Sequence, residues 1–189
     1  MNVYLICKAR GMDCDQKTLK QPINVPVDTD LYRLVEDYEY IWSRPLAPEA
    51  TENLDPLFRS SAKRARSTKK FKSGKPLCLY NRIRIPAGFT YDGASVPRIA
   101  WSITGIRPDG LLRAAAAVHD WIYHWSGDLP AGSQTFCVDG MEWKNAIGTW
   151  KRKDCDRLFG RMLREAGVPS LKRKMAYIAV RLMGGLSWD

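Results

Sequence analysis

The sequence contains only two histidines, His119 and His124, and this scarcity limits the metal sites that histidines could form. The two lie five positions apart, which places them on different faces of a helix, and no HExxH pattern occurs, so a zinc-protease site is not indicated. A metal phosphohydrolase of the His-Asp type needs further histidines upstream, and none precedes His119. The five cysteines include no CxxC pair, which argues against a zinc knuckle or a thioredoxin-like site.

Long apolar runs are also missing. No stretch of about 18 apolar residues occurs, so no segment is predicted to span a membrane. The apolar part of the N-terminal MNVYLICKAR is too short for a secretory signal. The hydrophobic share of 45% and the seven tryptophans are typical of a folded globular protein, and 189 residues suit a single domain with an inserted segment.

Positive charge is concentrated in one segment. The net charge is +10, and residues 63–75 contain seven basic residues and no acidic one. Such a run is typical of a solvated loop, and also of a surface that contacts lipid or nucleic-acid phosphates or the acidic face of a partner protein. The basic residues are Lys63, Arg64, Arg66, Lys69, Lys70, Lys72 and Lys75.

The first half of the chain predicts strands. Segments that mix β-branched and aromatic residues with partial alternation are typical of strands, and they occupy residues 2–9, 31–42 and 77–93. Residues 43–76 separate the last two segments, and we expect them to form a long basic loop inserted into an antiparallel hairpin. Residues 1–30 are interpreted as an N-terminal extension of a single domain.

The second half predicts about three helices, which makes the fold class α+β. The predicted helices span about 110–126, 147–166 and 170–184. We expect the core within 77–189, with a motif loop at 85–101 ahead of the first helix and an irregular connection at 126–141. Two of the helices are expected to be antiparallel and to carry the functional residues.

An ionisable pair, His119 and Asp120, stands in the middle of the apolar segment AAAAVHDWIYHW (114–125). Positions four apart share a helix face, so His119 and Tyr123 are predicted to point the same way. In the next helix Asp156 shares the apolar face, and we expect it to meet the imidazole, because an unpaired buried carboxylate is costly. Two interpretations stay open: a catalytic group, or a buried polar network that only joins two helices.

Five stretches of the chain resemble the phage and bacterial family of unknown function called DUF1353. They are LYRLVEDYEYIW, RIRIPAGFTYDGASVPRIAW, HDWIY, DRLFGRMLREAGV and AYIAVRLMGG, within residues 31–42 and 77–184. Tyr91 stands where that family usually has Thr, and residues 43–75 are longer than its usual turn. The resemblance implies a protein made in the host cytoplasm and incorporated into the virion, in the tail or baseplate, beside other phage structural proteins.

The helix pair also resembles that of the phospholipase A2 enzymes, through HDWIY (119–123) and CDR (155–157). This resemblance implies that His119 is a general base, that Asp156 orients it, that Tyr123 supports Asp156 and that Asp120 binds Ca²⁺. It implies a calcium-dependent hydrolase of lipid esters, in which a loop ahead of the first helix completes the calcium site. The candidate loop ligands are Tyr91, Asp92 and Gly93.

Three hypotheses on function follow. The first is a hydrolase of lipid esters or a related acyl substrate, which the basic run 63–75 anchors to anionic lipid headgroups. The second is a non-catalytic tail or baseplate component in which the His-Asp-Tyr network is structural. The third is a nucleic-acid-binding or host-modulating phage protein. A nucleophilic site at Ser95 is disfavoured, because GASVP is not the GxSxG elbow.

Overall fold

The computed structural model of the chain describes residues 19–28, 31–46, 77–92, 112–139 and 141–188. These residues divide into two compact units, of which the smaller contains 41–46, 77–83, 134–139 and 141–146 and the larger contains the others. Strand 2–9, the basic run 63–75, Gly93 and Ser95, all predicted from the sequence, lie outside the described residues, as do residues 47–76 of the inserted segment and 93–101 of the motif loop. The domain boundaries given above stay predictions.

The described residues form seven strands and three α-helices, as the α+β prediction requires. The strands are β1 (Asn24–Asp28), β2 (Leu31–Leu34), β3 (Tyr38–Leu46), β4 (Leu77–Ile85), β5 (Thr90–Asp92), β6 (Gln134–Val138) and β7 (Lys144–Asn145). The helices are α1 (Arg113–His124), α2 (Arg152–Glu165) and α3 (Ser170–Met183), and a short 3-10 helix (Gly184–Ser187) follows α3.

Strands β3, β4, β6 and β7 form one sheet in that order. β4 pairs antiparallel with β6, and its alternate residues Leu79 and Ile83 are fully buried, as the sequence alternation predicts. Leu79 packs with Phe136 and Val138 into a small core. β3 and β4 are neighbours, which agrees with the predicted hairpin, although most of the intervening segment lies outside the described residues.

Strands β1, β2 and β5 form a second antiparallel sheet, which belongs to the larger unit. The prediction of one continuous strand over 31–42 is wrong, because the chain bends at 35–37 between β2 and β3. Asp37 stabilises this bend, since its carboxylate accepts hydrogen bonds from the guanidinium of Arg84 and the main-chain amide of Ala87. The bend separates β2 from β3, and β2 pairs with β5.

The three predicted helices are confirmed, and each is slightly shorter than expected. α1 ends near Gly127, whose φ of +83° turns the chain away from the helix. A Cβ added at Gly127 would clash with the carbonyl oxygen of Trp150, so both conformation and space require glycine. The prediction of an irregular connection over 126–141 is wrong in its second half, because the mostly buried run 134–138 forms β6.

Helix α1 is the central element of the larger unit. Residues 114–123 are all buried, and the helix packs against β5 and α2, while α2 packs against α3. The small side chains at 114–117 let neighbouring elements come close, and the main-chain amide of Ala114 donates to Gln21 Oε1 at 3.1 Å. Among the helices of the described residues, none is long and apolar enough to cross a membrane.

Candidate functional site

The side chains of His119, Tyr123 and Asp156 meet between α1 and α2. His119 Nε2 lies 3.1 Å from Asp156 Oδ1, and the Tyr123 hydroxyl donates to the same oxygen at 2.7 Å. Because His119 and Tyr123 are one turn apart on α1, their rings lie side by side with centroids 4.1 Å apart. The structure therefore brings the three side chains together, with His119 and Tyr123 on one face of α1 and Asp156 on the face of α2 that packs against it.

Arg181 is a fourth member of this network, and it was not predicted from the sequence. Its guanidinium donates to Asp156 Oδ2 at 2.6 Å, and Arg152 Nε lies 3.9 Å from the same oxygen. Arg152 also donates to the main-chain oxygen of Arg181, which joins the first turn of α2 to the last turn of α3. The available signal was a single cation within the otherwise apolar run AYIAVRLM, although nothing in the sequence tells which carboxylate it meets.

The hydrogen bonds of the network favour the charged forms of its two central groups. Burial opposes ionisation of Asp156, but hydrogen bonds from His119, Arg181 and Tyr123 outweigh it and hold the pKa of Asp156 below its usual value. Burial likewise disfavours the charged imidazole, yet the carboxylates of Asp120 and Asp156 raise the pKa of His119. The two shifts show that the hydrogen bonds of the network stabilise the carboxylate and the imidazolium against the cost of burial, and both groups are almost fully buried.

Asp120 lies on the other side of the imidazole. Its Oδ1 is 3.5 Å from His119 Nδ1, and Asp120 is 9% exposed. Within the described part of the chain, no group forms a hydrogen bond with the buried Nδ1. The imidazole therefore has a carboxylate at each nitrogen, and only the contact at Nε2 has hydrogen-bond geometry.

Of the three calcium ligands that were predicted in the loop, Tyr91 and Asp92 lie within the described residues. Tyr91 is buried in β5, which packs against α1, and its hydroxyl accepts a hydrogen bond from Asn24. Burial raises the pKa of Tyr91 to about 12, and the nearby Asp120 carboxylate acts in the same direction. Asp92 is exposed at the end of β5, and Gly93 lies outside the described residues. Of the loop residues, the structure therefore brings Tyr91 near Asp120.

The donor atoms of His119, Cys155 and Asp156 lie within 4.8 Å of one another, but their chemistry does not suit a metal ion. Burial raises the pKa of the Cys155 thiol well above its usual value, and its Sγ donates to the carbonyl oxygen of His119 at 3.9 Å. Asp156 is bonded to the Arg181 guanidinium. A protonated thiol and a carboxylate that is paired with arginine form a hydrogen-bonded network, and Ca²⁺ prefers oxygen ligands alone.

Fold and site together define an α+β protein in which a network of His119, Tyr123, Asp156 and Arg181 joins three helices. Residues 68–180 match the family described as "Protein of unknown function (DUF1353)". Because the match covers more than half of the 189 residues, the chain belongs to this family, as the sequence motifs predict. Residues 31–42 lie outside the match. Neither the curated proteins nor the solved structures contain a match to this chain.

Proposed function

We propose that this protein hydrolyses ester bonds of lipids or a related acyl substrate, with His119 as the general base. The observation that supports this most is the position of the imidazole between two carboxylates, with Asp156 at Nε2 and Asp120 beside Nδ1. An ionised carboxylate only accepts hydrogen bonds, so Asp156 keeps the proton of the neutral imidazole on Nε2. The lone pair of Nδ1 is then available to take a proton.

In the proposed reaction, Nδ1 of His119 takes a proton from a water molecule whose oxygen attacks the ester carbonyl carbon. Asp156, which is held by Tyr123 and Arg181, stabilises the imidazolium that forms. When the tetrahedral intermediate collapses, the imidazolium returns the proton to the leaving alkoxide. One ester and one water thus give one carboxylic acid and one alcohol, and the imidazole returns to its starting state.

Calcium belongs to this proposal as a ligand of Asp120. A carboxylate oxygen is a donor that Ca²⁺ prefers, and Asp120 lies next to the nitrogen at which the proton transfer is proposed. Main-chain oxygens of Tyr91 and Gly93 and the carboxylate of Asp92 complete the proposed ligand set. An ion held there would polarise the ester carbonyl.

The second candidate is a non-catalytic component whose network only joins the helices. The burial of the site favours it, since His119 is 2% exposed and Asp156 is fully buried. A structural network needs no access to water, whereas a general base does. In that case His119 contributes to stability and to no reaction.

Release of fatty acid from mixed phospholipid vesicles, with Ca²⁺ or with a chelator, separates the two candidates. We expect His119→Gln to lower hydrolysis about 10²- to 10⁴-fold, because the amide still donates to Asp156 but cannot take a proton. His124→Gln is the matched control, since His124 is exposed at the end of the same helix, and it should keep full activity. A wild-type protein without activity overturns the hydrolase proposal, and full activity of His119→Gln removes His119 from it.

Location in the virion is a separate part of the proposal, supported by the resemblance to phage proteins. We propose that the chain is made in the host cytoplasm and assembles with phage structural proteins of the tail or baseplate. Mass spectrometry of purified virions tests this directly, because a structural component copurifies with the particle. Its absence from virions would contradict the proposal and leave the hydrolase question unchanged.

A further inference from the structure

Helix α3 presents its largest aliphatic side chains to solvent. Leu171 is 70% exposed, Ile178 54% and Leu182 76%. With a rotation of about 100° per residue, the three lie within about 40° of one another around the helix. They form one row about 16 Å long, at a rise of about 1.5 Å per residue, which we call the α3 apolar face.

The opposite side of α3 is packed with smaller residues. Ala176 is 1% exposed and Val180 is fully buried, and Val180 lies about 180° around the helix from Leu171. A helix that had only to fill the core would turn its larger aliphatic residues inward, because buried apolar area stabilises a fold in proportion to its extent. Single exposed apolar residues are common, whereas a contiguous apolar patch with polar residues at its edge is typical of a contact surface.

The charged residues beside the α3 apolar face indicate which kind of partner binds it. Lys172 and Lys174 lie on its two sides, and the sequence of α3 contains no acidic residue. Two copies of the chain that paired through this face would bring the lysines of both copies together, and like charges repel. An anionic surface complements both the apolar row and the lysines, and the net charge of +10 adds long-range attraction.

We propose that the α3 apolar face binds an anionic lipid surface. Its three aliphatic side chains enter the boundary between headgroups and acyl chains, while Lys172 and Lys174 contact lipid phosphates. An apolar row with lysines on its flanks is typical of a helix that lies in the plane of a membrane interface, and the long lysine stems reach from that depth to the headgroups. The proposal adds a binding surface to the hydrolase proposal without depending on it, because His119 takes no part in binding.

Co-sedimentation with vesicles tests this surface. We expect the wild type to bind vesicles of phosphatidylcholine with about one third phosphatidylglycerol, and to bind pure phosphatidylcholine at least about tenfold more weakly. The variant Leu171→Gln/Ile178→Gln/Leu182→Gln removes the row without changing charge, and its partition coefficient should fall about tenfold or more. Ile147→Gln is the matched control, since Ile147 is 71% exposed and is not part of α3, and its binding should equal that of the wild type.

The triple variant keeps every basic residue, so its loss of binding is separate from any contribution of the basic run 63–75. Its melting temperature should match that of the wild type, because the replaced side chains are exposed and Gln is a good helix former. Leu171→Gln alone provides the same comparison, with a smaller loss of binding, if the triple variant does not fold.

Equal binding by wild type and variants overturns the proposal, as does a wild type that does not bind anionic vesicles. A wild-type dimer that the triple variant converts to a monomer also overturns it and assigns the face to a second copy. The assay measures binding to vesicles and not hydrolysis, so its result does not depend on whether the protein is an active hydrolase.

Discussion

Replacement of Asp156 by Asn tests the centre of the network with almost no change in side-chain volume. The carboxylate accepts hydrogen bonds from His119, Tyr123 and Arg181, which belong to two other helices. An amide has one acceptor oxygen and one donor nitrogen, so at least one of these donors meets the NH₂ group. We therefore expect Asp156→Asn to leave the Arg181 guanidinium or the protonated His119 without the carboxylate that pairs with it.

The expected loss of stability is about 3 kcal/mol. Removal of one partner of a buried ion pair costs about 3–5 kcal/mol, because the other charge remains desolvated. Asp156 is fully buried, but the Arg181 side chain is 35% exposed and can recover part of its hydration, so the lower end of that range applies. Asp154→Asn, on the same helix, is the control: its side chain is 49% exposed and pairs with Arg157, so the loss should stay below about 1 kcal/mol.

The difference in stability between wild type and Asp156→Asn should depend on pH. The folded-state pKa of Asp156 is lowered, so its contribution is present above the unfolded pKa of about 4 and is lost as pH falls through the folded value. The folded-state pKa of His119 is raised, so its contribution is complete below the unfolded pKa of about 6.5 and is lost as pH rises through the folded value. Both contributions are therefore present together between about pH 4 and 6.5.

Urea unfolding of the three proteins at about pH 5.5 and pH 9 measures these quantities. The wild type should exceed Asp156→Asn by the larger amount at pH 5.5, and part of the difference should remain at pH 9, where the pair with Arg181 persists. An equal loss of free energy in Asp156→Asn and Asp154→Asn would contradict the role given to Asp156, as would a difference from wild type that does not change between the two pH values.

Two further predictions concern stability. Gly127→Ala should cost more than about 2 kcal/mol in urea unfolding, because the new Cβ would meet the Trp150 carbonyl oxygen, whereas Gly132→Ala, with the same φ and open space, should cost only about 1 kcal/mol. Equal losses for the two alanines would contradict the steric explanation. Tyr123→Phe should cost about 1–3 kcal/mol, because it removes a hydrogen bond to a buried charged group. A neutral effect, measured in the same way, would show that the phenol is not needed to hold the carboxylate.

The helices and the first three members of the network could be predicted because their signals are local. Gly127 and Gly167, both with positive φ, follow the ends of α1 and α2 within three residues, and four-residue spacing places His119 and Tyr123 on one face. Asp156 could be added because it shares the apolar face of α2, where a carboxylate needs a partner. In each case the residues that give the signal lie within one or two helical turns of the feature that they predict.

The elements that were missed depend on contacts between distant parts of the chain. The bend after β2 contains neither Gly nor Pro, and it is held by Asp37 through Arg84 and Ala87, about 50 positions away. β6 is a short, largely buried run without alternation, so its pairing with β4 decides its structure. Arg181 meets Asp156 only because α3 packs on α2, and the pattern of α3 does not reveal that neighbour.

The two carboxylates at His119 differ in what they can contribute. The bonds of Asp156 connect α1, α2 and α3, and this half of the network would be enough for a purely structural role. The contact between His119 and Asp120 lies within α1, so it cannot be what joins the helices, yet it places a second acidic group beside the imidazole. A junction of the helices through Asp156 does not require this second acid. This second carboxylate, at the nitrogen that lacks a hydrogen bond, favours the hydrolase over a simple junction of helices.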